Sequence, residues 1–339
     1  MFHESSAEGW SRLALYTSRE ILERKYRERH GGELSAGKAR EIIAHLEQAR
    51  QYFESAESAG VLAGPLEQYY GVLAFSRAII LLRNRGAREA TLTKGHGLSA
   101  SLPGDAGIDQ LELQVSAGTF LELLDATANA ETLVIRDATK ETLSFMGDVL
   151  LTQALPRPPV ESRFSFLDLL ARTPQLARLF GESLGTRPNS YECHVLLWGK
   201  AVNVELYPRD FKLPSPGELV KSLCLSGDVA INQRHEEWVA GHTTLVIPVV
   251  DGEVTSYGKL PHIRMDHVID RYAGGWSLSR LGSYFAGSHA LSALVRYYPT
   301  RWAELVNHQR DDRLLPVIGE LRRLIQLDFV SVALEELER

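Results

Sequence analysis

Apolar residues recur at helical spacing from Ser11 to about Arg85. After Ser35, residues Ala39, Ile42, Ile43, Leu46, Ala49, Tyr52, Phe53 and Ala56 fall three and four apart and form one stripe. Lys38, Glu41, Glu47, Arg50 and Glu54 lie largely off that stripe, so the segment predicts an amphipathic helix. Gly60 and Gly64 then interrupt the pattern. The run from Pro65 to Leu82 is apolar on nearly every face, which predicts a helix enclosed on nearly every side. Pro65 is expected in its first turn, where a missing N–H leaves no bond unmade. Two long helices joined by a short turn predict an antiparallel hairpin, completed by an earlier helix near Tyr16 to Glu28.

Past Gly86 the pattern changes. Leu98 to Gln114 mixes Ser, Pro, Gly and Asp with short alternation, and Leu111-Glu112-Leu113-Gln114-Val115 suits an edge strand or an extended arm. Gly118-Thr119-Phe120-Leu121 reads as a helix start with Thr119 near the cap. Pro156-Arg157-Pro158-Pro159 fits neither a helix interior nor a central strand and marks a boundary. Beyond it lie the best strands, Tyr191 to Tyr207 and Trp238 to Val250, the latter turned by Asp251-Gly252 into Val254 to Leu260. The chain ends with helical patterns at Ser277 to Tyr298, Pro299 to His308, Arg313 to Leu327 and Val330 to Leu337. The expected fold is α+β and predominantly α. Residues 1–155 form a helical region with an extended arm, and 160–339 carry a small antiparallel sheet and C-terminal helices that pack back on the first bundle.

At 339 residues the chain has material for two structural regions. A net charge of −6 sets up no global field for nucleic acid or anionic membrane, so any such contact needs a local patch. Cys193 and Cys224, thirty-one residues apart, lack the close pairing of thiolate zinc sites and read as free buried thiols in a reducing compartment. The first residues have neither a basic segment nor an apolar run, and no stretch approaches the roughly 20 apolar residues of a membrane span, so a cytoplasmic protein without membrane contact is expected.

One local cluster suggests chemistry: Arg77 inside the buried run, with Arg83, Arg85, Arg88, Lys94 and His96 just beyond it. Guanidinium forks match phosphate oxygens, and the nearby glycines let backbone N–H groups approach an anion, so these residues are a candidate phosphate-binding pocket. Alternatively, Arg77 pairs with an acid inside the bundle and the others offset the dipole of a helix C-terminus. Arg296, followed by Tyr297 and Tyr298, is a second candidate, for stacking on a ring, for binding a carboxylate, or for plain packing. His235, Glu236, Glu237 and His242, and His262 and His267 about Arg264 and Asp266, show no His-Glu-x-x-His spacing, so no metal site is expected. Nucleophile-elbow, phosphate-loop and dinucleotide fingerprints are absent, and no cofactor is expected.

Two blocks together resemble the YaaC-like family of bacterial proteins. The first runs from Ala56 to Leu98 with Pro65-Leu66, Tyr69-Tyr70-Gly71 and His96-Gly97-Leu98; the second is Ser292 to Trp302. Gly118-Thr119-Phe120 followed by Glu122-Leu123 fits the same pattern. The resemblance implies length and layout more than any particular activity. More loosely, a helical hairpin with a Tyr-Tyr, an Arg-Ala pair and a following Gly-His is similar to the HEPN class of helical domains, many of them ribonucleases that use an Arg and a His four to six residues apart. Here seven residues separate Arg88 from His96, and Arg24 and His30 sit in a charge-rich helix end, so that signature is not carried over. Two functional expectations follow. One is a non-enzymatic binding or assembly module, a homo-oligomer or a binder of protein partners, with a phosphate-bearing ligand or RNA at the basic cluster. The other, implied by the HEPN likeness, is an unconventional metal-independent ribonuclease with His96 as acid/base and Arg77 or Arg88 stabilising the phosphorane, in defence or stress response.

Overall fold

A computed structural model of the chain describes residues 6–137, 147–198, 201–208, 211–225, 229–233, 243–248 and 260–339. Contacts divide it into two compact units, the first of Met1–Asn129, Pro158–Leu169 and Leu278–Arg339, the second of Ala130–Arg157 and Leu170–Ser277. The chain opens with α1 (Ser6–Thr17), α2 (Arg19–His30), α3 (Ala36–Ser58), α4 (Gly60–Arg83), β1 (His96–Ser101), β2 (Glu112–Gly118) and α5 (Thr119–Ala126). It crosses to the second unit for β3 (Ala130–Asp137) and β4 (Gly147–Ala154), then returns for β5 (Arg163–Ser165), with α6 (Phe166–Ala171) at the next crossing. The second unit continues with α7 (Ala177–Leu184), β6 (Ser190–Trp198), β7 (Ala201–Leu206), α8 (Pro216–Ser222), β8 (Ala230–Gln233), β9 (Thr243–Pro248), β10 (His262–Arg264) and β11 (His267–Ile269). The last helices, α9 (Arg280–Tyr297), α10 (Pro299–Val306) and α11 (Leu315–Glu338), lie in the first unit. The protein is therefore α+β and predominantly helical, and among the described residues no helix is long and apolar enough to cross a membrane.

In the first unit Ser35 caps α3, its hydroxyl accepting the Lys38 N–H at 3.3 Å. The α3 stripe faces α4, and Gly71 lets the two helices close up, since a Cβ there would lie 2.7 Å from the Phe53 ring. Helix α4 starts at Gly60, five residues earlier than the sequence suggests, so Pro65 lies inside it instead of in its first turn. A proline there cannot donate to the Val61 carbonyl four residues back. The Trp302 indole N–H supplies the missing bond at 3.3 Å, which explains how the helix runs through the proline. Helix α9 is the second helix buried around its whole circumference, from Leu281 to Leu294. Small residues make this possible: a Cβ on Gly282 would lie 2.8 Å from Leu124 of α5, and one on Gly287 would lie 3.2 Å from Leu321 of α11.

Two expectations change in this unit. The segment at Leu111 to Val115 is no edge or arm: β2 pairs antiparallel with both β1 and β5 and is the central strand of three, which is why Leu113 and Val115 are fully buried. The two helices expected at Arg313 to Leu337 are one, because nothing between Leu327 and Val330 breaks the backbone and Asp328 is bound by the Tyr284 hydroxyl at 2.6 Å.

The second unit is built on one mixed sheet, in which β6 pairs with β11 and β7 antiparallel and with β3 in parallel. Alternation is clear on β7, where Val202, Val204 and Leu206 are buried while Ala201, Asn203 and Glu205 are half-buried. Their partners in the core include Leu133, Ile135, Cys193, Leu245 and Ile247. Cys193 is buried as expected, but Cys224 is exposed, its backbone held at φ 52° just after α8. The Asp251-Gly252 turn and most of the strand after it lie outside the described residues.

Trp302→Phe removes the donor to Val61, and is expected to lower unfolding free energy by about 1 kcal/mol. In a Pro65→Ala background, where residue 65 regains an N–H of its own, the same substitution should cost less; a double-mutant cycle in urea reads the difference.

Candidate functional site

The structure gathers Tyr69 and Arg77 of α4, His96 at the start of β1, and His289 and Arg296 of α9. The α4 register puts Tyr70 and Arg77, two turns apart, on one face, and α9 does the same with His289 and Arg296. His96 is held by backbone geometry. Gly95 and Gly97 on either side adopt φ 123° and 83°, and a Cβ on Gly97 would lie 2.8 Å from both the Phe120 Cβ and its backbone nitrogen. Thr119 locks the bend from the other side, its N–H and hydroxyl both donating to the Gly95 carbonyl at 3.2 and 3.1 Å.

The fully buried Tyr69 ring is the hub. His96 and His289 meet it edge-on at centroid distances of 5.4 and 5.3 Å, and the two imidazoles lie 6.0 Å apart. The Arg296 guanidinium carbon sits 5.7 Å from the Tyr69 centroid and 4.9 Å from that of Tyr297. Among the described residues Arg296 hydrogen-bonds within its own helix, to Ser292 Oγ at 3.2 Å and Ser292 O at 3.4 Å. Among the described residues neither Arg77 nor Arg296 forms an ion pair, so Arg77 does not take the acid partner that the bundle alternative supposes. Tyr69 Oη, Arg77 Nε, His96 Nδ1 and His289 Nδ1 are buried without a hydrogen-bond partner.

Two unneutralised guanidiniums and low polarity set the protonation states. Burial, then Arg296 and Arg77, hold the His96 imidazole below its ordinary range. For His289, fully enclosed, burial pushes the value down to about 3, helped by His96 and Arg296. His45 of α3 is likewise lowered, chiefly by burial and against the opposing pull of Glu89, with Arg77 adding to the fall. Burial pushes the Tyr69 hydroxyl up, so it stays protonated. At neutral pH the site is a cationic pair of arginines among neutral polar groups, which suits a multiply charged anion.

The remaining members of the expected basic cluster do not join it. Arg83 turns the other way, its Nη1 donating to the buried Glu336 carboxylate at 2.7 Å and to that residue's carbonyl at 2.8 Å. Arg85 and Arg83 instead line a cleft of about 710 Å³ with His30, Asn84, Glu122 and Asp125. Arg88 is clamped by the Glu41 carboxylate at 2.6 to 3.1 Å, so it is unavailable to stabilise charge at His96. Lys94 is exposed. Nearness in the chain does not carry over into space here, because Arg83 at the end of α4 and Arg88 beyond it are each taken by a different carboxylate.

The sequence reading missed His289 as a site residue. Its signal was available, since a polar ring seven residues before Arg296 in an otherwise apolar helix must share that arginine's face. His45 had no such signal. Among the described residues no group of three or more His, Cys, Asp or Glu side chains is arranged to hold a metal, and His235, Glu236, Glu237 and His242 lie outside the described residues. His262 is buried beside Arg264, which is neutralised by Glu131 at 2.9 Å.

Fold and site together define a predominantly helical α+β protein whose first unit carries two arginines without an ion-pair partner among the described residues, near one half-buried and one buried imidazole. The chain belongs to the YaaC-like family, whose model matches residues 13–337. No curated protein and no solved structure matches it. The blocks that carry the family resemblance supply Tyr69, Arg77, His96 and Arg296 of this site, and Trp302, in the second block, mends the backbone at Pro65 in the first.

Because His96 and His289 are held neutral, the unfolded chain binds more protons than the folded one below an unfolded-state value of about 6.5. Stability is therefore full above that pH and falls as pH drops, by at most about 1.4 kcal/mol per pH unit for each such histidine. His289→Phe, which keeps the ring contact with Tyr69, should flatten the slope of unfolding free energy between about pH 4 and 6. An unchanged slope would show that His289 is not buried in its neutral form.

Proposed function

We propose that the protein is a binding module for a small phosphate-bearing ligand, held between Arg77 and Arg296 beside His96. The observation that carries this reading is that Arg77 and Arg296 both bear on His96, and that neither has a carboxylate partner among the described residues. In the same unit Arg83 is matched by Glu336 and Arg88 by Glu41. Cations left together in a partly apolar setting repel one another, and a dianion that accepts their hydrogen bonds removes that repulsion while gaining charge-assisted contacts. His96 and the Tyr69 hydroxyl, both neutral, add dipoles without cancelling the positive field.

A second reading, an unconventional ribonuclease, is favoured by one observation: His96 is neutral near pH 7 with Arg77 and Arg296 close, the state that a general base beside a developing phosphorane requires. Binding remains the preferred reading, because the nearest imidazole, His289, has a value of about 3 and cannot serve as a protonated general acid at neutral pH.

The two readings separate in a melting experiment and a cleavage assay. Saturating inorganic phosphate, pyrophosphate or a nucleotide should raise Tm, with about 2.7 kcal/mol of stabilisation at a hundredfold excess over Kd. Arg77→Ala and Arg296→Ala should abolish the shift, while Arg88→Ala, whose guanidinium is held by Glu41, should leave it intact. Absence of a shift with any of these probes would refute the binding reading. RNA cleavage that survives removal of divalent ions and is lost in His96→Ala would establish the enzyme instead.

A further inference from the structure

We infer that the anion taken by this site is the phosphate of a nucleoside phosphate, whose base stacks on the open face of Tyr297. The inference rests on the anion-binding reading above and names its ligand class. Tyr297 is the most exposed of the large apolar and aromatic side chains that reach the surface, at 63 %, although it ends a helix that is otherwise buried from Leu281 to Leu294. Its position is fixed, because the next residue, Tyr298, is anchored by its hydroxyl, which accepts the Leu102 N–H at 2.9 Å. The Arg296 guanidinium lies over one face of the Tyr297 ring at 4.9 Å, leaving an aromatic surface in water directly beside an anion-binding group.

The rest of the surround has the same composition. Tyr70, half-buried on the Arg77 face of α4, stacks on Tyr52 of α3 at 5.5 Å with 29° between the planes. The Tyr69 ring touches both sides of this surround, with the Tyr70 centroid at 5.7 Å and the Arg296 guanidinium carbon at 5.7 Å. Inorganic phosphate has no use for an exposed ring next to its cation, whereas a nucleoside phosphate carries a flat π-face one sugar away from its phosphorus. Aromatic rings interleaved with arginines are the arrangement that holds unpaired bases, and it tolerates any base because every base has a π-face. A net charge of −6 sets up no global field that gathers a long polyanion, which favours a free nucleotide or the terminus of a short strand as the ligand.

The test measures dissociation constants calorimetrically, on the full chain, for inorganic phosphate, ribose 5-phosphate, each of the four nucleoside 5′-monophosphates and a tetraribonucleotide. At least one nucleotide should bind more tightly than ribose 5-phosphate by roughly 5- to 150-fold, the range expected of a single base stacked on a ring. Tyr297→Ala should erase that margin, and Tyr297→Trp should keep it; at this exposure neither change threatens the fold. A tetraribonucleotide bound more tightly than its monomer identifies a strand end as the source, and equal binding identifies the free nucleotide. Equal affinity for ribose 5-phosphate and every nucleotide, or a margin untouched by Tyr297→Ala, overturns the inference. Phosphate binding that persists in Arg77→Ala and Arg296→Ala instead overturns the reading beneath it, and no binding of any probe overturns both.

Discussion

Tyr69 sits where α4 and α9, each apolar around its circumference, pass one another, and its ring is fully buried against Phe285, His289 and His96. A helix with no polar face must be covered on every side, and α4 meets that demand with α3, α5, α9 and α11. Such crowding needs small residues at the crossings, which Gly71, Gly282 and Gly287 supply. It also dictates where polar groups can surface. Arg77 emerges from the half-buried face of α4 and Arg296 where α9 runs out of core, and the ring between them fixes their common neighbourhood.

Charge balance separates the arginines that hold the fold from those left over. In the second unit Arg264 is almost wholly buried, but Glu131 at 2.9 Å neutralises it, and the pair closes on itself. Arg83 with the buried Glu336 follows the same pattern in the first unit, while Arg88 with Glu41 is a pair at the surface. Loss of one partner from a buried pair is strongly destabilising, because the survivor is stranded, so such arginines answer to the fold. Arg77 and Arg296 are half-buried without that compensation among the described residues, and the imidazoles of His96 and His289, neutral chiefly because they are buried, are pushed further that way by Arg296. An environment that already holds two positive charges does not admit a third, and it leaves an anion as the natural counterpart.

Much of the helical layout was legible because its signals are local. The stripe from Ala39 to Ala56 and the helix start at Gly118-Thr119 each depend on residues within a turn or two. The start of α4 was misplaced for the opposite reason: Pro65 reads as a beginning unless one knows that an indole more than two hundred residues later will satisfy the carbonyl it leaves bare. Likewise Leu111 to Val115 alternates as an edge strand would, and only the arrival of β5 on its second side makes it central.

The site divides along the same line. The amino-acid sequence by itself determined that Arg77 lies in a buried helix, that His96 is flanked by glycines, and that Arg296 ends an apolar helix beside aromatic residues. Periodicity and residue type carry that information within one segment. Which arginines would remain unpaired was decided only by tertiary structure, since Arg83 meets a carboxylate 253 positions away and Arg88 one 47 positions away. Ion pairing acts over a few ångströms of space with no regard for separation along the chain, so no local pattern could have told the committed guanidiniums from the free ones.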